Sequence, residues 1–135
     1  MKNPFCLSLL AAACLMAGTA AQASNPMMDT AMSKADALEQ QVIEWRRHIH
    51  QNPELSYQEH NTAAYIKAAL ETMPGYQIQT GIAQTGVKAV LKGGKPGPVV
   101  ALRADMDALP VQERNDLPFK SVAKSTWQGK EGQDV

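Results

Sequence analysis

Cysteine is almost missing from this 135-residue chain: there are two, Cys6 and Cys14, and both lie close to the start. They fall inside a stretch with the layout of a secretory signal peptide. Lys2 gives a positive beginning, Phe5 to Ala17 is apolar, Gly18 ends the run, and Ala21-Gln22-Ala23 is a small-x-small cleavage site. Two other readings stay open, a frayed hydrophobic terminus and a lipoprotein signal acylated at Cys14. The latter's lead-in, Ala11-Ala12-Ala13, lacks the usual leucine. Removal of residues 1–23 leaves Ser24 to Val135 without cysteine. That excludes a disulfide, even in an oxidising compartment, and any thiolate nucleophile or thiolate metal ligand. The apolar run is too short to span a bilayer, so no membrane association is expected after signal removal.

Net charge is also lacking. All thirteen acidic residues follow Ala23, with every basic residue except Lys2, so the mature segment carries about −1. Nothing in that balance points to nucleic acid or to an anionic membrane surface. Internal repeats and low-complexity segments are absent, and no Ser-His-Asp or Cys-His set can be assembled.

The mature segment reads as helix, helix, strand, strand, strand. Ser24 to Thr30 is a polar lead. Ser33-Lys34-Ala35-Asp36 resembles a capping box, and Leu38, Val42, Trp45 and Ile49 follow at helical spacing. Pro53 should end that helix near Gln51. Ser56-Tyr57-Gln58-Glu59 forms a second box, followed by the stripe Ala63, Ile66, Leu70 and Met73 and the stop Pro74-Gly75. The period then falls to two: Tyr76, Ile78 and Thr80 make one strand, Thr85-Gly86 a turn, and Val87, Ala89 and Leu91 another. Gly93 to Pro98 is a connection, and Val99 to Leu102 a continuous apolar run expected to be a strand buried on both faces. From Val111 the sequence turns polar and irregular. This order fits an α/β layer with helices covering a sheet.

Asp105 and Asp107 follow the run, where ligands bind in open α/β sheets. Nearby carboxylates repel unless a cation or proton compensates. Three readings compete. Asp107 can support a metal ligand from outside the coordination sphere. The pair can be the Asp-x-Asp of a haloacid-dehalogenase-like phosphotransferase, though Leu109 stands where Thr or Val is expected and Arg103 interrupts the apolar lead-in. Or the acids simply solvate a strand end, with Asp105 paired to Arg103. His48-Ile49-His50 makes no chelate in this setting, because residues two apart on a helix point to roughly opposite sides. Glu44 and His48 have i, i+4 spacing, which an ion pair near a helix end explains equally well. His60 reads as surface. Arg46 and Arg47 suit the negative end of the helix dipole. Gly93-Gly94-Lys95-Pro96-Gly97-Pro98 lacks the Gly-Lys-Ser/Thr ending of a phosphate loop and precedes a strand.

Two blocks carry a resemblance. W-R-R-H-I-H-Q-N-P-E-L-S-Y-Q-E-H-N-T-A-A-Y-I, Trp45 to Ile66, and G-G-K-P-G-P-V-V-A-L-R-A-D-M-D-A-L-P-V-Q-E, Gly93 to Glu113, occur in the order found in the metal-dependent amidohydrolases of the aminoacylase and carboxypeptidase clan. The likeness is to the branch of hippurate hydrolase, N-acetyl-diaminopimelate deacetylase and the auxin-conjugate hydrolases, over about residues 38–130. It implies the N-terminal part of a three-layer α/β/α metallopeptidase-like catalytic domain. The implied reaction is hydrolysis of the amide bond of N-acyl amino acids or related small peptides at a binuclear site of zinc, manganese, cobalt or nickel. There, metal activates a water and a glutamate moves its proton.

By the same resemblance Asp107 occupies the place of a carboxylate that orients a metal ligand. Asp105 stands where related branches place a metal-binding histidine and does not inherit that role. The family's first metal ligands come from a His-Ala-Cys-Gly-His-Asp motif after a segment like Trp127-Gln128-Gly129-Lys130-Glu131, and Val135 comes about where it would begin. The expectation is therefore a truncated catalytic domain, residues 24–135, that holds no metal and is inactive alone. A non-catalytic remnant or interaction fragment is the alternative. The parent enzyme is expected to be secreted or periplasmic, to take a small N-acyl amino acid, and to dimerise through an inserted domain.

Overall fold

The structure, a computed structural model, describes residues 25–127 and 130–134. The signal-peptide reading of residues 1–23 lies outside them. The elements in chain order are α1 (Pro26–Gln51), α2 (His60–Glu71), β1 (Tyr76–Ile82), β2 (Gly86–Leu91), β3 (Lys124–Trp127) and β4 (Lys130–Asp134). The chain divides into two compact units, one up to Glu39 and the other from Gln40 onward.

In the first unit α1 begins earlier than its sequence suggests. The Met27 amide donates to Asn25 Oδ1 at 3.1 Å, and the Asp29 amide donates to the Asn25 carbonyl at 3.1 Å. Asn25 is thus the cap and Pro26 the first helical residue, where a missing N–H costs nothing. The helix start expected at Ser33 is corrected accordingly, as is the polar lead expected over 24–30, within its described residues 25–30.

In the second unit α1 ends at Gln51 as Pro53 requires, and the His48 carbonyl accepts both the Asn52 amide at 3.2 Å and the Asn52 side chain at 2.8 Å. Trp45 and Ile49 are half-buried, whereas Val42 of the same stripe is exposed. The α2 stripe of Ala63, Ile66, Leu70 and Met73 is half-buried throughout, and α2 packs against both β1 and β2.

Those two strands pair antiparallel with Ile78 opposite Ala89 and Thr80 opposite Val87. Ile78, Val87 and Ala89 are half-buried while Gln77, Gln79 and Lys88 are exposed, the alternation of a one-sided ribbon. The hairpin turns through positive φ at Gly81, Ala83 and Gln84. Gly86 is obligatory in it, because a Cβ there would lie 2.6 Å from the Ile82 carbonyl oxygen. The Thr85 hydroxyl donates to Glu59 Oε2 at 2.6 Å, both residues being buried, and ties this turn to the start of α2.

Two further readings need correction. Val99 to Leu102 is not in a strand, and Val99 and Leu102 are 97% and 96% exposed. A strand buried on both faces needs neighbours on both sides, and no described strand pairs with this run. The polar tail, read as irregular, forms the antiparallel pair β3–β4, with Lys124 opposite Asp134 and Trp127 opposite Lys130. The sequence there carries no apolar period, so backbone pairing alone defines it. The described chain is a partial α/β domain.

Candidate functional site

The site is built from two short segments, His50–Ser56 at the end of α1 and in the linker after it, and Asp107–Glu113 after the apolar run. Leu55 anchors the first. It is 1% exposed, the one fully buried large hydrophobic side chain among the described residues, and forms a parallel bridge with Ala108. Glu54 works in two directions. Its carbonyl accepts the Ala108 amide at 2.7 Å, while its carboxylate accepts the Asn61 amide at 3.1 Å, the Asn61 side-chain amide at 2.8 Å and the Thr62 amide at 2.7 Å. Glu54 therefore satisfies the first amides of α2. The Ser56 capping box expected there does not form, and the Glu59 side chain makes no cap bond. Partial burial pushes the Glu54 carboxyl up, but the Thr62 and Asn61 hydrogen bonds outweigh it and leave the group below its ordinary value.

Ser56 is turned elsewhere: its hydroxyl donates to Asp107 Oδ2. Asp107 is thereby fixed both through its side chain and through the backbone of its neighbour Ala108. Asp105 points to a different partner, forming an exposed ion pair with Arg103. The two acids of the Asp-x-Asp pair are thus held by separate groups, and Asp107 alone is tied into the linker between the helices.

At the far end of the second segment stands Glu113, to which sequence reasoning assigned no role. His50 Nε2 lies 2.8 Å from Glu113 Oε1. An ionised carboxylate only accepts, so the imidazole nitrogen donates. The Asn115 side chain donates to the same oxygen and the Ser121 amide to Oε2 at 2.8 Å. The His50 hydrogen bond, then the Ser121 amide, lowers the Glu113 carboxyl to about 2 against a small opposing effect of burial. Its one sequence signal was its place as the last residue of the second family-like block. Asp107 and Glu113 line one cavity of about 670 Å³, whose walls include Ile49, His50, Met106 and Val111.

The other histidines are not gathered here. His48 stacks on Tyr65 with ring centroids 3.9 Å apart, and His60 is exposed at the start of α2. Glu44 bonds to the side chains of Gln40 and Gln41, not to His48. Arg47 lies over the Phe119 ring at 4.9 Å, and Arg46 lines the cavity. Among the described residues no group of three His, Cys, Asp or Glu side chains comes together as a metal site; of the two carboxylates that line the cavity, Asp107 is bonded to Ser56 and Glu113 to His50, Asn115 and Ser121. The described residues thus do not fit a dinuclear centre by themselves. No helix among them is long and apolar enough to cross a membrane.

A helix pair, a hairpin and a carboxylate braced after an apolar run make up the described part of an α/β domain. The described fold matches the YXEP protein of Bacillus subtilis, a dinuclear metal binding peptidase from the M20 family. The TM-score is 0.60 and the identity 41%, over 72% of this chain and 25% of that one. In sequence the chain is 44% identical to an N-acetyl-L-cysteine deacetylase of Bacillus subtilis over 78% of its length and 24% of the relative's. It is 48% identical to thermostable carboxypeptidase 1 of Saccharolobus solfataricus over 64% of this chain and 22% of that one. With hippurate hydrolase of Campylobacter jejuni it shares 47% identity over 56% of its length and 20% of the relative's. No protein-family model matches the chain. The chain is related to the metal-dependent amidohydrolases and aminoacylases and shares its fold with an M20 peptidase. It spans about a fifth to a quarter of the length of the curated relatives it matches.

Proposed function

We propose that these residues serve an amidohydrolase that cleaves the amide bond of N-acyl amino acids or related small peptides. Its binuclear site would take divalent ions of zinc, manganese, cobalt or nickel, with Asp107 the supporting carboxylate beside them. The side chains that hold the ions come from outside these 135 residues, so the chain alone is inactive and retains no stoichiometric metal after dialysis. The parent enzyme is secreted or periplasmic, a reading supported by the pattern of residues 1–23. Its homodimer forms through an inserted domain.

The observation that carries this reading is the bracing of Asp107 by Ser56 and by the Ala108–Glu54 bond in a chain related to deacetylases and carboxypeptidases. A carboxylate tuned to support metal ligands has to be held in one place.

The test is to translate the gene beyond codon 135 and to assay release of free amino acid from N-acetyl and N-benzoyl amino acids with added Mn²⁺, Co²⁺ or Zn²⁺. The longer product is expected to be active, Asp107→Ala to lower its activity about 10–100-fold, and the 135-residue chain to show none. A 135-residue chain that hydrolyses these substrates overturns the reading. A gene with no further histidine- and carboxylate-bearing sequence in any frame leaves the non-catalytic remnant or interaction fragment instead.

A further inference from the structure

The segments His50–Ser56 and Asp107–Glu113 touch at both of their ends. At one end are the Ser56 bond to Asp107 and the 2.7 Å bond from the Ala108 amide to the Glu54 carbonyl. At the other, His50 and Glu113 meet at 2.8 Å, and Glu113 also gathers the Asn115 side chain and the Ser121 amide. Phe119 closes that end, its ring edge-on to His50 with centroids 5.5 Å apart and its face under Arg47. Between the two ends the segment bonds to itself, from the Val111 amide to the Leu109 carbonyl at 2.8 Å.

We propose that His50 and Glu113 are positioning residues for Asp107, closing the far end of a two-ended clamp on the segment that carries it. A short segment held at one end can swivel about its tether. Held at both ends it keeps few backbone states, and the direction in which its first side chain is presented becomes fixed. Glu113 suits this task because both carboxylate oxygens are used, one toward α1 and one toward the loop that follows. The clamp matters to chemistry through the role given to Asp107 above, on which that significance rests, but it is itself a property of this chain.

The experiment is amide hydrogen exchange, with the Asp107 Cγ resonance followed by NMR, on the 135-residue chain and on Glu113→Ala, His50→Ala and His50→Gln. In Glu113→Ala the Ser121 amide loses its acceptor and is expected to exchange about tenfold faster. The clamp further requires that the distant Ala108 amide speed up severalfold and that the Asp107 Cγ resonance shift. Glutamine keeps an N–H donor near the position of Nε2, so His50→Gln should restore most of the protection that His50→Ala loses. Faster exchange at Ser121 with Ala108 and Asp107 unmoved overturns the proposal. So does a glutamine variant that behaves like alanine, or an unmodified chain in which neither amide is protected. If Glu113→Ala also loses the α2 amides, the two His50 variants decide. Inactivity of the longer protein would remove the proposed function and leave these exchange results standing; a failed clamp leaves the activity assay untouched.

Discussion

The stretch from Glu54 to Leu91 and the run from Val99 to Leu102 both carry apolar side chains that call for cover, and they end up in opposite conditions. In the first, α2 lies on the β1–β2 ribbon, its leading amides are taken by Glu54, and the hairpin turn is tied to Glu59 by Thr85. In the second, Val99, Val100 and Leu102 stand almost wholly in solvent, with no described strand beside them. Apolar character alone does not explain the contrast. What differs is the distance along the chain to a partner. The first stretch supplies from within itself the acceptor for the α2 amides, the ribbon pairing and the cover of α2 on that ribbon, while a run such as 99–102 is stable inside a sheet only when distant strands supply both edges.

The largest expected effect breaks the self-sufficiency of the first stretch. Thr85→Val removes the hydroxyl that donates to the buried Glu59 carboxylate, a residue only 7% exposed. It should cost about 2 kcal/mol, read as roughly thirtyfold faster amide exchange across β1 and β2. Glu54→Ala comes next. It strips the α2 start of its acceptor and should cost about 1 kcal/mol, measured as faster exchange at Asn61 and Thr62 with the β1–β2 amides less affected.

Acid gives a smaller, local effect at Glu113. Its carboxyl is depressed, so the stability it contributes is fully present above the ordinary value of 4.5 and is lost as pH falls through about 2. A titration should therefore show Ser121 protection persisting below pH 4 and vanishing near pH 2; loss of protection already at pH 4 would contradict the hydrogen-bond geometry around Glu113. The smallest effect sharpens the contrast from the other side. Leu102→Asp, at a position 96% exposed, should change the stability of this chain by less than about 0.5 kcal/mol, seen as an unchanged urea midpoint. A larger loss would mean that the run is already covered in solution.

Much of the first stretch was legible because its signals are local. The α2 stripe, the stop at Pro74-Gly75, the turn at Thr85-Gly86 and the period-two strands all rest on residues within a few positions of one another. The end of α1 could be placed from Pro53 alone. Asp107 stands out from its position after the apolar run, and the structure braces it, though its service to a metal rests on the function proposed above. What could not be read depends on contacts across the chain. Glu54 reaches seven and eight residues forward, beyond the four-residue span of a capping box, so Ser56 looked like the cap. Glu113 meets His50 across 63 positions. The buried appearance of Val99 to Leu102 is a statement about neighbours that the described residues do not supply.

Because Glu54 holds α2 with its carboxylate and Ala108 with its carbonyl, the linker between the helices acts as a spacer of set length. An inserted residue between Asn52 and Glu59 would push the helix start and the aspartate out of step with each other. The loop from Gly93 to Pro98 has no such duty: a Cβ added at Gly94 or Gly97 meets nothing within 4 Å. Extra residues spliced in there should leave the acid where it is.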